Sequence, residues 1–176
     1  MHLLPWIQRG WPVTPSVGRF PAVLERLAGT PARAATLVAG VAEALLATQP
    51  GGKWSVKEHL GHLSDLHAFD MQRVDEFLAG AKVLSAADMT NRRTHEANHG
   101  ATPIANLLQA LQDQRQRLFV RLEQLTEREI AATARHPRLG VEVRLIDWAE
   151  FVADHDDHHL AAARMVLRRV NGETTE

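Results

Sequence analysis

The segment from Leu145 to Val170 constrains the fold of this chain most, because one side of it is apolar throughout and two histidines interrupt that side. Wound as an α-helix, the segment places His155 and His159 one turn apart in the middle of the apolar face. That face consists of Trp148, Phe151, Val152, His155, His159, Ala162, Ala163, Val166 and Val170. Such a helix must pack its apolar side against other elements, and it then buries two imidazoles that need polar partners.

A second amphipathic helix is predicted to begin after Ser55. Ser55 and Glu58 form a Ser-x-x-Glu capping box, in which each residue satisfies the backbone amide of the other. The inner side of this helix carries Val56, His59, Leu63, Leu66, Asp70, Val74 and Phe77, with His62 and Phe69 at its margin. Gly61 lies inside the helix, where it costs about 1 kcal/mol relative to alanine. We interpret Gly61 as a sign that a neighbouring helix approaches closely beside His62.

Three inward-facing histidines favour a metal site. A single buried histidine is more often a core residue bonded to a carbonyl or a carboxylate. The spacing of His155 and His159, however, allows two ring nitrogens to chelate one ion, and His62 can supply a third ligand. The helical faces therefore predict that His62, His155 and His159 bind one divalent metal ion.

The rest of the chain is also helical in pattern. Apolar periodicity predicts a first helix over residues 21–48, with a kink or a division at residues 29–31. The second helix is expected to end near Gly80. The polar segment of residues 81–101 that follows is longer than the usual connection between helices of a bundle. Its length suggests a crossover or a functional lid.

The third helix is predicted to begin with Thr102 as its N-cap and Pro103 as its first residue. A short turn over residues 127–131 and a small extended pair around residues 140–143 precede the last helix. That helix is expected to end at the common stop signal Asn171-Gly172.

Two motifs resemble a known family. Trp54–Leu63 resembles the Trp-Ser-x-x-Glu-x-x-x-His-Leu signature of the DinB/YfiT-like superfamily, and Phe151–Leu160 is similar to its closing His-Asp-x-x-His-Leu motif. His136–Gly140 resembles another recurrent element of that family. The similarity extends from about Phe20 to Val170, nearly the whole chain.

The resemblance implies an all-α fold, an antiparallel four-helix bundle with a long connection between helices two and three. It also implies a three-histidine site for zinc, nickel or a similar ion, with His62, His155 and His159 as the matching ligands. We assign residues 1–20 to an irregular N-terminal arm, residues 21–172 to the bundle and residues 173–176 to a C-terminal tail. Trp6 and Trp11 are expected to dock the arm onto the bundle or onto a partner.

His95-Glu96-Ala97-Asn98-His99 spells the His-Glu-x-x-His signature of zinc proteases. That motif requires a continuous helix, but Gly100, Thr102 and Pro103 follow at once, so a protease is disfavoured. Two other interpretations stay open: a chance occurrence on a polar loop, and a contribution to the pocket of the bundle.

Four residues are candidates to contact and orient the ligands without binding the metal themselves. Asp65 and Glu58 lie one helical turn on either side of His62, although the capping box already occupies Glu58. His59 shares the inner side of the second helix, and His158 lies at the edge of the face that carries His159. The acidic residues 156 and 157 are expected to face solvent.

The composition excludes several classes of function. The chain has no cysteine, so disulfides, thiolate metal sites and a thiol nucleophile are absent. A net charge of −1 gives no general attraction to nucleic acid or to acidic membranes. Prolines and glycines interrupt the N-terminal residues, which are predicted to be neither a signal peptide nor a membrane span. We expect a cytoplasmic protein, and a homodimer, because bundles of this composition often bury apolar stripes between subunits.

Three histidine ligands leave a coordination position open, which is typical of catalytic sites. The resemblance implies metal-dependent chemistry on a small-molecule substrate. We favour a transferase that activates a low-molecular-weight thiol of the bacillithiol or mycothiol type, with Arg92, Arg93 and Arg144 as candidates for a basic rim. The alternatives are a hydrolase that uses metal-bound water and a non-catalytic metal-binding stress-response bundle.

Overall fold

The predicted helical patterns form the four long helices of a bundle in a computed structural model, which describes residues 16–172 together with Trp6, Gly10 and Val13. The all-α four-helix bundle predicted from the sequence is confirmed. Trp11 and the C-terminal residues 173–176 lie outside the described residues, so their assignments stay predictions.

Eight α-helices and one hairpin make up the described chain. The helices are α1 Phe20–Val38, α2 Glu43–Leu46, α3 Val56–Asp65, α4 His67–Leu78, α5 Arg92–Glu96, α6 Ile104–Glu123, α7 Glu127–Ile130 and α8 Leu145–Val170. The antiparallel strands are β1 Thr133–Arg135 and β2 Glu142–Arg144. Because only Leu66 separates α3 from α4, these two helices act as one element of the bundle. The other three long helices of the bundle are α1, α6 and α8. The predicted bounds of the last helix are confirmed.

Two of the predicted helix boundaries are wrong. The first helix ends at Val38 rather than near residue 48, because Ala39 leaves the helical conformation with ψ 127° and Gly40 takes a positive φ of 73°. Pro31 is buried inside α1 and does not divide it, because the helix continues through this residue to Val38. The N-cap of α6 is Pro103 rather than Thr102, since the Glu43 carboxylate of α2 accepts from the free amide of Ile104 at 2.9 Å.

The order of the helices around the bundle explains the long connection. Both α1 and α3 pack against α6 and α8, so α1 and α3 lie at opposite corners. Ion pairs of Arg115 with Asp70 and of Arg121 with Asp75 show that α6 runs in the same direction as α4. Consecutive parallel helices need a return segment, and residues 79–103 provide it. The predicted crossover is therefore confirmed.

The crossover returns along the surface of α4 and then of α3. The Ser85 carbonyl accepts from Arg73 of α4 at 2.8 Å, and the Gly100 carbonyl accepts from Lys57 of α3 at 3.3 Å. Between these two points, α5 packs against α3. This path places side chains of the crossover beside His62.

A polar layer divides the core into two apolar clusters. One cluster surrounds the first turns of α8 and includes Trp148, and the other surrounds its last turns and includes Leu160. Between them, the Arg115 guanidinium donates to both oxygens of Asp156, at 2.8 and 2.6 Å, and lies 3.4 Å from Asp70. Asp156 is 0% exposed, so the prediction that it faces solvent is wrong. A cationic partner on α6, invisible in the pattern of α8, stabilises this carboxylate in the core.

The recurrent family element His136–Gly140 lies in the turn between the two strands of the hairpin. The Nδ1 atom of His136 accepts from the Leu139 amide at 3.2 Å and so shapes the turn between the strands. Among the described helices, none is both long enough and apolar enough to cross a membrane.

Candidate metal centre

The structure brings His62, His155 and His159 together between α3 and α8. One nitrogen from each ring can be chosen such that no two of the three atoms lie more than 4.8 Å apart. The exposed fractions of the three residues are only 4, 8 and 6%. The cluster borders the polar layer of the core, where α8 runs antiparallel to α3.

Local structure on α3 fixes the direction of His62. The capping box is formed as predicted: the Glu58 amide donates to the Ser55 hydroxyl at 3.2 Å, and the Ser55 amide donates to the Glu58 carboxylate at 2.7 Å. The cap begins the helix at Val56, so that His62 lies two turns later on the side facing α8. The ring of Trp54, just before the cap, lies 4.9 Å from that of His62 and 5.8 Å from that of His159.

The two ligand candidates on α8 already have a chelating geometry. The Nε2 atoms of His155 and His159 are 3.1 Å apart. Two nitrogens bound to one tetrahedral ion at about 2.0–2.1 Å would lie about 3.3 Å apart. An ion can therefore replace the proton that these nitrogens share, with little movement of α8.

The outer nitrogen of His62 has a defined hydrogen-bond partner, Thr94 of α5. The Thr94 hydroxyl lies 2.9 Å from His62 Nδ1 and donates to the Asp65 carboxylate at 2.8 Å. Because a hydroxyl has a single proton, Thr94 must accept from Nδ1–H of His62. This bond leaves the Nε2 atom of His62 unprotonated, as a metal ligand requires.

The other supporting candidates occupy different positions. His59 Nδ1 lies 3.0 Å from Nδ1 of His159, so His59 contacts a ligand candidate directly. The ring of His158 lies 5.3 Å from that of His159 and outside the three-histidine group. Glu58 accepts from the Ser55 amide and from Gln49, which leaves its carboxylate at the helix cap.

Burial keeps the clustered histidines neutral. It lowers the pKa of His59 and of His62 to about 4. Burial, reinforced by the neighbouring rings, also holds the pKa of His155 and His159 well below 6.5. Burial alone would raise the pKa of Asp65, but hydrogen bonds from His99 and Thr94 outweigh it and lower that pKa. The cluster thus combines neutral nitrogen donors with one nearby anion, which suits a divalent cation.

The His-Glu-x-x-His sequence contributes to this site without forming a protease motif. Helix α5 ends at Glu96, and Asn98 adopts a left-handed backbone with φ 50°, so His95 and His99 do not share a helical face. Instead, His99 Nε2 lies 2.9 Å from the Asp65 carboxylate, and the ring of His95 lies 5.8 Å from that of Trp54. Of the interpretations left open, the geometry supports the contribution to the pocket.

Gly61 permits the crossover to approach α3. A Cβ atom built on Gly61 would lie 2.4–2.5 Å from three ring atoms of His99, far inside van der Waals contact. The predicted close approach beside His62 exists, but the approaching element is the 3₁₀ turn His99–Ala101 rather than a bundle helix.

Aromatic rings flank the cluster on two sides. Trp6 lies 5.0 Å from both Phe151 and His155, so this residue of the predicted arm docks onto the bundle. Trp54 flanks the cluster at His62 and His159.

The three arginines proposed for a rim are not equivalent. Arg144 caps α8, where its side chain pairs with Asp147, and it lies about 16 Å along the helix from His155. Arg93 lies 3.8 Å from Asp65 and is 69% exposed, and Arg92 is exposed at the start of α5. The placement of Arg144 in the rim is therefore wrong.

Sequence reasoning missed Thr94. This residue lies on a polar connection with no apolar periodicity, and nothing in the sequence relates it to His62. Gly61 was a partial signal, because it showed that something must approach the helix at that level.

Comparisons with known proteins identify the family and the fold. A sequence model of the DinB superfamily matches residues 26–163, so the chain belongs to that superfamily. The solved structure of YfiT from Bacillus subtilis, described as a probable metal-dependent hydrolase with an unusual four-helix bundle topology, superposes with a TM-score of 0.76. That likeness covers 95% of this chain and 94% of YfiT at 20% identity, and it shows the fold. No curated protein matches the chain significantly by sequence.

Proposed function

We propose that this member of the DinB superfamily is a metal-dependent hydrolase in which His62, His155 and His159 hold one divalent transition-metal ion. The observation that carries the proposal is the convergence of three neutral, nearly buried imidazoles, with ligand atoms no more than 4.8 Å apart. Imidazole nitrogens suit zinc and nickel, and the proposal takes one of these as the ion. The description of YfiT supports the same class of activity for this chain.

The donor set favours chemistry over a purely structural role for the ion. Three protein ligands leave one coordination position open, whereas a structural site is closed by a fourth side chain. In the described chain, only these three residues form a group of metal-ligating side chains with this spacing. When bound, the ion would act as a Lewis acid and would lower the pKa of a water ligand to about 7.

The residues of the chain itself would bind and orient. Thr94 accepts a hydrogen bond from the outer nitrogen of His62, and the outer nitrogen of His159 forms a hydrogen bond with His59, which fixes both rings. The rings of Trp54 and Trp6 cover two sides of the cluster and limit access by bulk water. The small exposed area of the ligands fits a small-molecule substrate better than a polymer.

A thiol transferase is the second candidate, and one residue favours it. Arg93 is largely exposed beside Asp65, where it could contact a carboxylate of a thiol cosubstrate. Since the chain contains no cysteine, the thiol would have to come from solution. We rank this candidate below hydrolysis, because Arg144 does not contribute to the rim.

Metal analysis of untagged protein tests the proposed centre. We expect a 1:1 ratio of metal to protein in the parent and little metal in His62→Ala, His155→Ala and His159→Ala. His158→Ala is the matched control, since it removes a neighbouring imidazole of the same helix and should retain the ion. Unchanged metal content in the three ligand variants would contradict the assignment.

A substrate panel then separates the functions. Metal-loaded protein, stripped protein and His155→Ala are compared on ester and amide substrates without thiol, and on electrophiles with a low-molecular-weight thiol. Metal-dependent hydrolysis without thiol supports the hydrolase, and metal-dependent conjugation supports the transferase. Equal rates for all three proteins on every substrate would leave a non-catalytic metal-binding bundle.

A further inference from the structure

The crossover contributes one buried hydroxyl to the surroundings of His62. Thr94 is 3% exposed, although it belongs to a five-residue helix in an otherwise polar connection. Its hydroxyl lies between His62 Nδ1, at 2.9 Å, and the Asp65 carboxylate, at 2.8 Å. The residue thus joins an imidazole and an anion of α3 that do not bond to each other.

We propose that Thr94 is a positioning residue of the metal centre. Its hydroxyl, polarised by the Asp65 carboxylate, accepts from His62 and holds the His62 ring with Nε2 toward His155 and His159. This inference rests on the proposed function, because it assumes that the three histidines bind an ion. It adds that the site is incomplete without the crossover. The third element of the centre is therefore α5, in addition to α3 and α8.

The direction of the hydrogen bonds supports this role. Thr94 donates its only proton to Asp65, so its oxygen accepts from the Nδ1–H group of His62. Accepting this proton fixes both the tautomer and the rotation of the ring. The carboxylate polarises the hydroxyl, and the hydroxyl in turn makes the imidazole a stronger donor to a cation.

The surrounding crossover is built to keep Thr94 in place. The Asp88 carboxylate accepts from the Arg92 amide at 3.1 Å and so satisfies the start of α5. On the other side of Thr94, the ring of His99 packs on Gly61, and its Nε2 lies 2.9 Å from Asp65. Asp65 therefore forms hydrogen bonds with the crossover at two points, Thr94 of α5 and His99 of the following 3₁₀ turn, and both bonds hold the crossover against α3.

A coupling between the ion and the crossover follows. If Thr94 strengthens binding of the ion by His62, then the bound ion must strengthen docking of the crossover by the same factor. Loss of a hydrogen-bond partner of a metal-bound imidazole typically weakens metal binding about 10- to 100-fold. We expect a loss of that size on removal of the Thr94 hydroxyl.

The test compares Thr94→Val, which keeps the shape and removes the hydroxyl, with Thr94→Ser, which keeps the hydroxyl. Thr36→Val is the control, because its hydroxyl bonds a backbone carbonyl on the exposed face of α1. Zinc alone is the probe, and its dissociation constant is measured by competition with a chromogenic chelator. We expect Thr94→Val to bind zinc about 10- to 100-fold more weakly than the parent. Thr94→Ser and Thr36→Val should bind like the parent.

A second measurement needs no metal. Nitrogen-15 NMR of the metal-free protein reports the tautomer of His62, assigned by the signals lost in His62→Gln. We expect the Nδ1–H tautomer in the parent and in Thr94→Ser, and a mixture of tautomers in Thr94→Val. Circular dichroism of each variant verifies that it is folded.

The outcomes are distinguishable. If the parent binds zinc at a 1:1 ratio and Thr94→Val binds it equally tightly, the positioning role is overturned while the proposed function stands. An unchanged His62 tautomer in Thr94→Val would also overturn it. If the parent binds neither zinc nor nickel, both the proposed function and this inference fail.

Discussion

Replacement of Gly61 by alanine should change the free energy of unfolding in two opposite ways, through helix propensity and through a steric clash with His99. Alanine favours the helix by about 1 kcal/mol relative to glycine. The new methyl group, however, would lie 2.4–2.5 Å from three ring atoms of His99, where carbon atoms normally approach to about 3.5–4.0 Å. The ring is buried and bonded to Asp65, so it cannot move aside without losing that contact.

The size of the net effect follows from these terms. Forcing an extra methyl group into a packed site costs about 1–3 kcal/mol. Subtracting the gain in helix propensity, we expect Gly61→Ala to lower the free energy of unfolding by about 0–2 kcal/mol. In a domain of this size, 1 kcal/mol corresponds to about 2–4 °C in Tm.

Gly29 provides a matched control inside α1. The nearest atom to a Cβ built there is Nε of Arg33, at 3.9 Å, which is ordinary contact. Gly29→Ala should therefore show the full helix gain and raise the free energy of unfolding by about 1 kcal/mol. The difference between the two substitutions isolates the cost of displacing His99.

Urea unfolding followed by circular dichroism measures both variants, and hydrogen exchange of residues 91–102 reports whether the crossover has opened. We expect faster exchange in Gly61→Ala only. In a His99→Ala background the clash is absent, so Gly61→Ala should then stabilise the protein. If Gly61→Ala stabilises the parent as much as Gly29→Ala does, the close contact between His99 and α3 is refuted.

Two further predictions concern the polar layer of the core and the clustered histidines. Arg115→Met removes the cation that faces Asp156 and Asp70, and it should lower the free energy of unfolding by about 3–5 kcal/mol at pH 7; a loss below about 1 kcal/mol in urea unfolding would contradict a stabilising role for the pair. The pKa values of His59 and His62, about 4 in the folded protein and 6.5 ordinarily, mean that the folded state binds fewer protons than the unfolded state. Stability of the metal-free protein should therefore fall as the pH decreases from 6.5 toward 4. Burial raises the pKa of Asp70 to about 7, which acts with the opposite sign, so the histidine effect is best measured in Asp70→Asn. If the urea concentration at the midpoint of unfolding of Asp70→Asn does not change across this pH range, the buried, neutral state of the histidines is refuted.

Features that depend on short-range periodicity were readable from the sequence. The face of α8 and its bounds follow from the spacing of apolar residues, because a helix repeats every 3.6 residues whatever surrounds it. The capping box at Ser55 and Glu58 is equally local and was predicted atom by atom. The same periodicity selected His62, His155 and His159, since a histidine on an apolar face can be recognised without knowledge of its neighbours.

Features that depend on which elements meet were decided only by the tertiary structure. Asp156 looked solvent-facing on α8 because its partner, Arg115, lies on α6, 41 residues away in the chain. Thr94 lies beside His62 because two consecutive bundle helices run in the same direction, which forces the connection to return across the site. Side chains on such a connection carry no periodic signal, so their hydrogen bonds to the centre arise only when the chain is folded. The sequence alone therefore determined the candidate ligands, because their positions depend on the faces of two helices. The tertiary structure determined which residues form hydrogen bonds to those ligands, because these partners depend on the path of the crossover.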